Sequence, residues 1–464
     1  MRSRALRAWS MTALALVLLT SACGGGDDDA GGGGDKADCP LDALDSANGP
    51  VEIRFWHGMT RANEDALVAL TDQFNSSQDK VKVTLVNQTS YEDIQTKYEA
   101  GLETGDLPDV VQQQDIFLQK MIDTQTVLPA QACIDAANYD TSDFVERTLK
   151  YYEVEGTQWA LPFNVSNPVL LYNRKAFVTA GLDPDSPPTT LEELRAAAQA
   201  IKDAGFQYGM ALKLDAWHLE QFLALQGQEM VNHSNGRESR ATEVSFDSAA
   251  GEEIFSFLSS MVADGLATTT PREGPGQFDN LLGVGSESWG MTIDSSATLG
   301  TVFELLQGGQ YPNVEPAIGA LPGRTEDGGV LVGGAAIYDT AKDPAKQAAA
   351  WEYMTFLTSP ESQAAFSAAS GYIPVRMSAT EMPAIQQRWA EVPGFKVAYD
   401  QLVEGAENDA TAGAVIGDFR AVRAAIETAE NKMFLEDTAP ADALADAARD
   451  ANAAIKDYND RLGV

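Results

Sequence analysis

The 464-residue sequence predicts an α/β fold. Val51–His57 (VEIRFWH) alternates apolar and polar residues as a half-buried strand does. Lys80–Gln88 (KVKVTLVNQ) repeats the signal, with Val81, Val83 and Leu85 on one face. Between them, Asn63–Phe74 carries Leu67, Leu70 and Phe74 at helical spacing, and a strand–helix–strand unit of this length implies a parallel sheet. Further on, Trp159–Asp183 (WALPFNVSNPVLLYNRKAFVTAGLD) reads as a chain leaving one lobe and starting another.

Leu107–Gln112 is a third strand, set off by the Gly105-Asp106 turn. Within the crossing, turn-prone Pro162, Asn164, Ser166, Asn167 and Pro168 precede the apolar run Val169–Tyr172. That run feeds a helix which Gly181 can close in a left-handed cap. After Pro184, Pro187 and Pro188, Thr190 and Glu193 have capping-box spacing ahead of another helix. Ile254, Phe257, Leu258, Met261 and Val262 form an amphipathic stripe closed by Gly265. The turn-rich stretch Thr268–Gln277 leads to a buried strand at Trp289–Ile293, and Gly333-Gly334 follows another apolar step. Trp351, Met354, Phe356 and Leu357 open a helix pair interrupted at Pro360. From Phe419 onward the chain is helical and alanine-rich, with few breakers beyond Pro440, and no internal repeat stands out.

Composition is globular, at 44% hydrophobic and 22% charged residues. A net charge of -36 excludes a nucleic-acid binder, because the phosphate backbone would repel the chain, and disfavours wrapping on an anionic membrane surface. At the N-terminus, Arg2, Arg4 and Arg7 precede an apolar segment, Ala13–Leu19, too short to span a bilayer. Leu19-Thr20-Ser21-Ala22-Cys23 resembles a lipoprotein signal-peptidase site, with the leucine one place further from the cysteine than is commonest. Residues 1–22 are then a signal peptide, and Cys23 carries the lipid that anchors an exported protein to the outer face of the bacterial cell membrane. A plain secreted protein is the alternative. Residues 23–49, beginning GGGDDDAGGGGD after Cys23, form a flexible, self-repelling tether. Cys39 and Cys133 remain, and in an oxidising compartment this even remainder implies one disulfide stapling the N-terminal arm to the first lobe.

The crossing carries Pro162-Phe163-Asn164, two small polar residues, Pro168-Val169-Leu170, Tyr172-Asn173, Ala176-Phe177, then AGLDP from Ala180 and a later Pro pair. This block resembles the inter-lobe segment of extracellular solute-binding proteins of bacterial ABC importers. Within that family it is most similar to the glycerol-3-phosphate and glycerophosphodiester binders. The resemblance runs from about Val51 to about Ile455. It implies a two-lobed periplasmic-binding-protein-like fold with a ligand cleft between the lobes and hinge closure. Residues 50–164 and 338–384 would form lobe 1, and residues 165–337 and 385–464 lobe 2. It implies a monomer that needs no cofactor or metal, performs no reaction, and hands a small molecule to the transmembrane subunits of an ABC permease.

The resemblance also implies a ligand set. Tyr91, after the possible cap Ser90, matches a ligand-contacting tyrosine whose hydroxyl both donates and accepts. Its other reading is an exposed aromatic at a helix start. Asp115 falls where the family uses a glutamate on ligand hydroxyls, or else is a solvated loop acid. Ser166 and Ser295 match two family serines, a role compatible with helix capping. Gly334 permits close backbone approach, or is a simple strand-end glycine. Tyr372 lies in Gly371–Val375 (GYIPV), which recurs in the family almost unchanged. Arg423 would be the main countercharge for a phosphate, bound bidentately, the alternative being an i,i+4 surface pair with Glu427. Where glycerol-3-phosphate binders have a pocket tryptophan, this chain offers Leu214, with Trp217 three residues later, which implies a wider, less aromatic pocket.

Two rivals remain. A sugar or oligosaccharide binder of the same fold would stack its ligand on Trp56, Trp159, Trp217 and Trp289. A surface-anchored hydrolase would need paired carboxylates. Against it, the chain has three histidines, His57, His218 and His233, and neither a nucleophile elbow nor a metal-spaced cluster.

Overall fold

The computed structural model describes residues 38–272, 277–307 and 311–464. The strand expected at the start of the fold is Val51–His57, paired in parallel along its whole length with Val81–Asn87 and at its end with Val110–Gln114. The helix between the first two spans Arg61–Ser77 and buries Leu67, Leu70 and Phe74 against the sheet. Two antiparallel strands, Gly333–Asp339 and Leu161–Ser166, complete a five-stranded sheet on the far side of Val110–Gln114.

A second five-stranded sheet has the spatial order Pro316–Ala320, Pro168–Asn173, Trp289–Ser295, Tyr208–Lys213 and Ala267–Thr270. The last three run parallel to one another, and the first two pair antiparallel. Both sheets therefore mix parallel and antiparallel pairs, and helices cover them. Phe55, Phe163 and Tyr353 lie in the buried interior around the first sheet, and Leu170, Met210 and Ile293 in that around the second.

The crossing is abrupt. Leu161–Ser166 belongs to the first sheet and Pro168–Asn173 to the second, with Asn167 alone between them. Asn167 is fully buried: its amide donates to the Ala398 carbonyl at 2.8 Å and accepts from Gln401 Nε2 at 2.7 Å. The chain returns through Gly333–Asp339. Strand pairing thus moves the expected lobe limits by a few residues, since 165–166 and 333–337 pair in the first sheet. Gly181 closes the helix Arg174–Thr179 at φ +74°, and Thr190 with Glu193 forms the capping box of Leu191–Asp203.

Cys39 and Cys133 form a disulfide with Cα atoms 4.9 Å apart, fastening the N-terminal arm to the helix Ala130–Ala137. The expected signal peptide, Cys23 and most of the tether lie outside the described residues. Among the described residues, no helix is long and apolar enough to cross a membrane, and no group of three or more His, Cys, Asp and Glu side chains is placed to hold a metal ion.

Candidate functional site

A cavity of about 240 Å³ opens where the ends of strands from both sheets face each other. The first sheet supplies Gln114 and Asp115 at the end of Val110–Gln114, Ser166 at the end of Leu161–Ser166, and Gly334. The second supplies Lys213 and, just beyond it, Asp215, Trp217 and His218; Ile293, Asp294 and Ser295 come from Trp289–Ser295. Tyr91 opens the helix Tyr91–Thr104, Tyr372 follows Pro360–Ser370, and Arg423 sits near the start of Phe419–Leu435. Eight of the nine residues expected to meet a ligand therefore share one wall; Leu214 does not.

Leu214 is half-buried and donates its backbone N–H to the Thr270 carbonyl at 2.9 Å. The expectation of a less aromatic pocket fails on this point. Trp217, the first residue of the helix Trp217–Leu225, turns its indole toward the cleft, so close to Gly333 that a Cβ there would lie 2.7 Å from Cζ2. Helix geometry decided which residue faces inward. The other tryptophans named for sugar stacking are elsewhere: Trp56 is buried in the core, Trp159 packs against it, and Trp289 Nε1 donates to the Asn280 carbonyl.

Neutral hydrogen-bonding groups dominate the first-lobe wall. The Tyr91 hydroxyl accepts from Asn164 Nδ2 at 2.8 Å and lies 3.3 Å from the Tyr372 hydroxyl. Burial holds both phenols above their usual pKa, so they stay protonated and able to donate. Ser90 caps the helix, accepting from Asp93 N, while Tyr91 is half-buried and faces the cleft, so the reading as an exposed aromatic does not hold. At Ser295 capping and a place in the cleft wall coexist, its hydroxyl accepting from Ala297 N at 3.2 Å. Gly334 has a structural cause of its own. At φ +93°, a Cβ would come within 2.0 Å of the Asn164 carbonyl oxygen, so strand pairing requires glycine there.

The charged groups differ most from expectation. Arg423 is neither unpaired nor in a surface pair with Glu427. Its Nε donates to Glu220 Oε1 at 2.6 Å and its Nη2 to Glu220 Oε2 at 2.7 Å, with Asp115 Oδ2 3.7 Å away. All three side chains are at most 4% exposed. Asp115 is thus a buried acid and not a solvated one; burial pushes it up to about 7 against the opposing pull of Arg423. Burial likewise raises Glu220. Burial alone would lower Arg423, but Glu220 and then Asp115 hold it above its usual value. Nη1 makes no hydrogen bond among the described residues.

Two further cations in the wall escaped sequence reasoning. Lys213 Nζ meets Asp294 Oδ2 at 2.8 Å. Arg272 takes Glu92 at 2.9 Å, Glu427 at 3.0 Å and Asp215 at 3.6 Å. Lys213 ends a strand at the cleft, a signal that could have been read; Arg272 lies in a turn-rich loop with no such mark. Every cation in the wall therefore already faces a carboxylate. The arrangement suits a polar, hydroxyl-bearing ligand of small net charge held between two lobes.

Comparison with known proteins agrees with this architecture. A family model described as bacterial extracellular solute-binding protein matches residues 69–394. The sn-glycerol-3-phosphate-binding periplasmic protein UgpB of Pectobacterium atrosepticum is 27% identical over 436 residues, covering 91% of this chain and 96% of that protein. Among solved structures, UgpB from Mycobacterium tuberculosis in complex with glycerophosphocholine superposes with a TM-score of 0.74 at 20% identity, over 90% of this chain and 100% of that one. The GacH receptor of Streptomyces glaucescens, solved unliganded and with acarbose, gives 0.72 at 20% identity, over 88% and 99%. With 326 consecutive residues inside the family model and a two-lobed fold shared with these structures, the chain belongs to the bacterial extracellular solute-binding proteins.

Proposed function

We propose that this protein captures a glycerophosphodiester, choline-bearing ones first, in the inter-lobe cleft and delivers it to an ABC permease. One observation carries the choice of ligand: Lys213, Arg272 and Arg423 are each paired with carboxylates. A dianion such as glycerol-3-phosphate would find no uncompensated cation, whereas a zwitterion brings its own balance. Arg423 Nη1 and the hydroxyls of Tyr91, Tyr372, Ser166 and Ser295 are donors for a phosphodiester and a glycerol. Trp217 and the surrounding acids favour a quaternary ammonium by cation–π and Coulomb attraction. The relatives are consistent with this range, since one is named for sn-glycerol-3-phosphate and another was solved with glycerophosphocholine. Binding selects the closed state because one ligand touches both lobes. Cys23 would hold the protein at the membrane through its lipid, and Cys23→Ala should then leave the membrane fraction.

A sugar reading has the support of several sugar-binding structural neighbours, among them the receptor solved with acarbose and binding proteins for cyclic maltosyl-maltose and maltose. Calorimetry with glycerophosphocholine, glycerophosphoethanolamine, glycerol-3-phosphate and maltose separates the readings. Glycerophosphocholine should bind at least about tenfold more tightly than glycerol-3-phosphate, a difference of about 1.4 kcal/mol. Equal or tighter binding of glycerol-3-phosphate would overturn the charge argument, and tightest binding of maltose would overturn the phosphodiester altogether.

A further inference from the structure

We propose that Arg272 and Glu92 form an ion-pair clasp that ties the two lobes together beside the cleft and sets how fast a bound molecule leaves. The inference rests on the cleft being the ligand site. Asp115, Ser166, Tyr372 and Arg423 are at most 7% exposed, so a ligand touching them lies deep between the lobes and leaves more readily when the lobes part. Whatever holds the lobes together then governs release.

Arg272 follows the strand Ala267–Thr270 of the second sheet and lines the cleft. Glu92 belongs to the first turn of Tyr91–Thr104, which packs on the first sheet next to the cleft residue Tyr91. Among the described residues, the other two acids on Arg272 go with the second lobe: Asp215 follows the strand Tyr208–Lys213, and Glu427 lies on Phe419–Leu435, which packs chiefly on Pro440–Leu462 and only lightly on Asp115–Phe117. One planar guanidinium thus takes acids from both sides of the opening. When the lobes separate, Asp215 and Glu427 move with Arg272, and Glu92 is lost.

The second lobe touches the first at a second point. Phe278, six residues after Arg272, lies under the Arg61 guanidinium at 4.6 Å, and Asn63 Nδ2 donates to the Ala297 carbonyl at 3.2 Å. Arg61 holds a left-handed φ of +54° at the start of its helix, a conformation costly for a side-chain-bearing residue. These contacts land on the N-terminal ends of two first-lobe helices and resist opening on this side of the cleft.

The test uses the full-length protein and glycerophosphocholine as probe. Stopped-flow tryptophan fluorescence gives association and release rates, and pulsed EPR between labels at the exposed positions Glu103→Cys and Glu253→Cys gives the inter-lobe distance without ligand. Glu92→Gln should release the probe roughly two- to fivefold faster, as expected for a partly exposed ion pair, with association almost unchanged. It should also extend the ligand-free distance distribution to longer values. Arg272→Gln should release faster too, and adding Glu92→Gln to it should change nothing more. Wild-type release should quicken as salt rises from about 50 to about 500 mM, and release from Glu92→Gln should not. A Glu92→Gln variant with wild-type release, or one whose full effect adds to Arg272→Gln, overturns the clasp. If the unaltered protein binds none of the phosphate esters or sugars, the ligand reading falls instead. The EPR distances then decide alone, and an unchanged distribution in Glu92→Gln overturns the clasp.

Discussion

Arg423→Ala removes the centre of a buried triad, and the structure predicts how that loss depends on pH. In the intact protein the guanidinium makes two short bonds to Glu220, at 2.6 and 2.7 Å, and stands 3.7 Å from Asp115. Taking one member from a buried charged set typically costs about 3–5 kcal/mol, because the remaining charges stay desolvated without a partner. Here two carboxylates are orphaned. Burial already raises both, Asp115 to about 7, against the pull of Arg423; without that cation both rise further. A carboxyl whose folded pKa exceeds its unfolded value contributes stability that is present below the unfolded value and lost as pH rises through the folded one. The orphaned acids are therefore protonated and tolerable near pH 5 and ionised or strained near pH 8. Urea unfolding followed by tryptophan fluorescence should show a deficit of about 3–5 kcal/mol at pH 8 that shrinks by about half or more at pH 5. Arg420→Ala, three residues away and exposed, should change stability by no more than about 0.5 kcal/mol. A deficit below about 1 kcal/mol at pH 8, or one that does not vary with pH, would refute the triad as the source. The experiment also governs how binding data are read, since weaker binding by Arg423→Ala would mix a lost ligand contact with a disturbed wall.

Asp115→Asn tests the same chemistry from the other side. Wild-type stability should fall as pH rises from 3.8 through about 7, by up to about 4 kcal/mol at 1.36 kcal/mol per pH unit, and the asparagine variant should show a flatter profile in the same unfolding assay. Gly334→Ala should destabilise by about 1–3 kcal/mol or more, since its Cβ meets the Asn164 carbonyl and its φ is left-handed; a neutral midpoint in thermal unfolding would show the strands can shift. Cys39→Ser with Cys133→Ser should lower stability by up to about 4–5 kcal/mol, given a sequence separation of 94, while glycerophosphocholine affinity stays unchanged. Thiol labelling of denatured, unreduced protein should find neither cysteine free.

Local signals in the sequence determined several of the strands, helices and helix ends, though the third strand lies at Val110–Gln114 and not at 107–112. Alternation at Val51–His57, the capping pair Thr190 and Glu193, and the glycine stop at Gly181 act through neighbours a few residues away, so they survive being read one segment at a time. The inter-lobe block around Pro162–Tyr172 was similarly legible, because the chain changes sheet there over a single residue, Asn167. Tertiary structure decided what the cleft wall is made of. Leu214 and Trp217 differ by less than one helical turn, and only the start of the helix at Trp217 settled which faces inward. The pairing of Arg423 with Glu220 spans 203 residues, and that of Arg272 with Glu92 spans 180. Coulomb energies depend on distance and burial, not on sequence separation, so an arginine's partners become visible only when the chain has brought its acids around it.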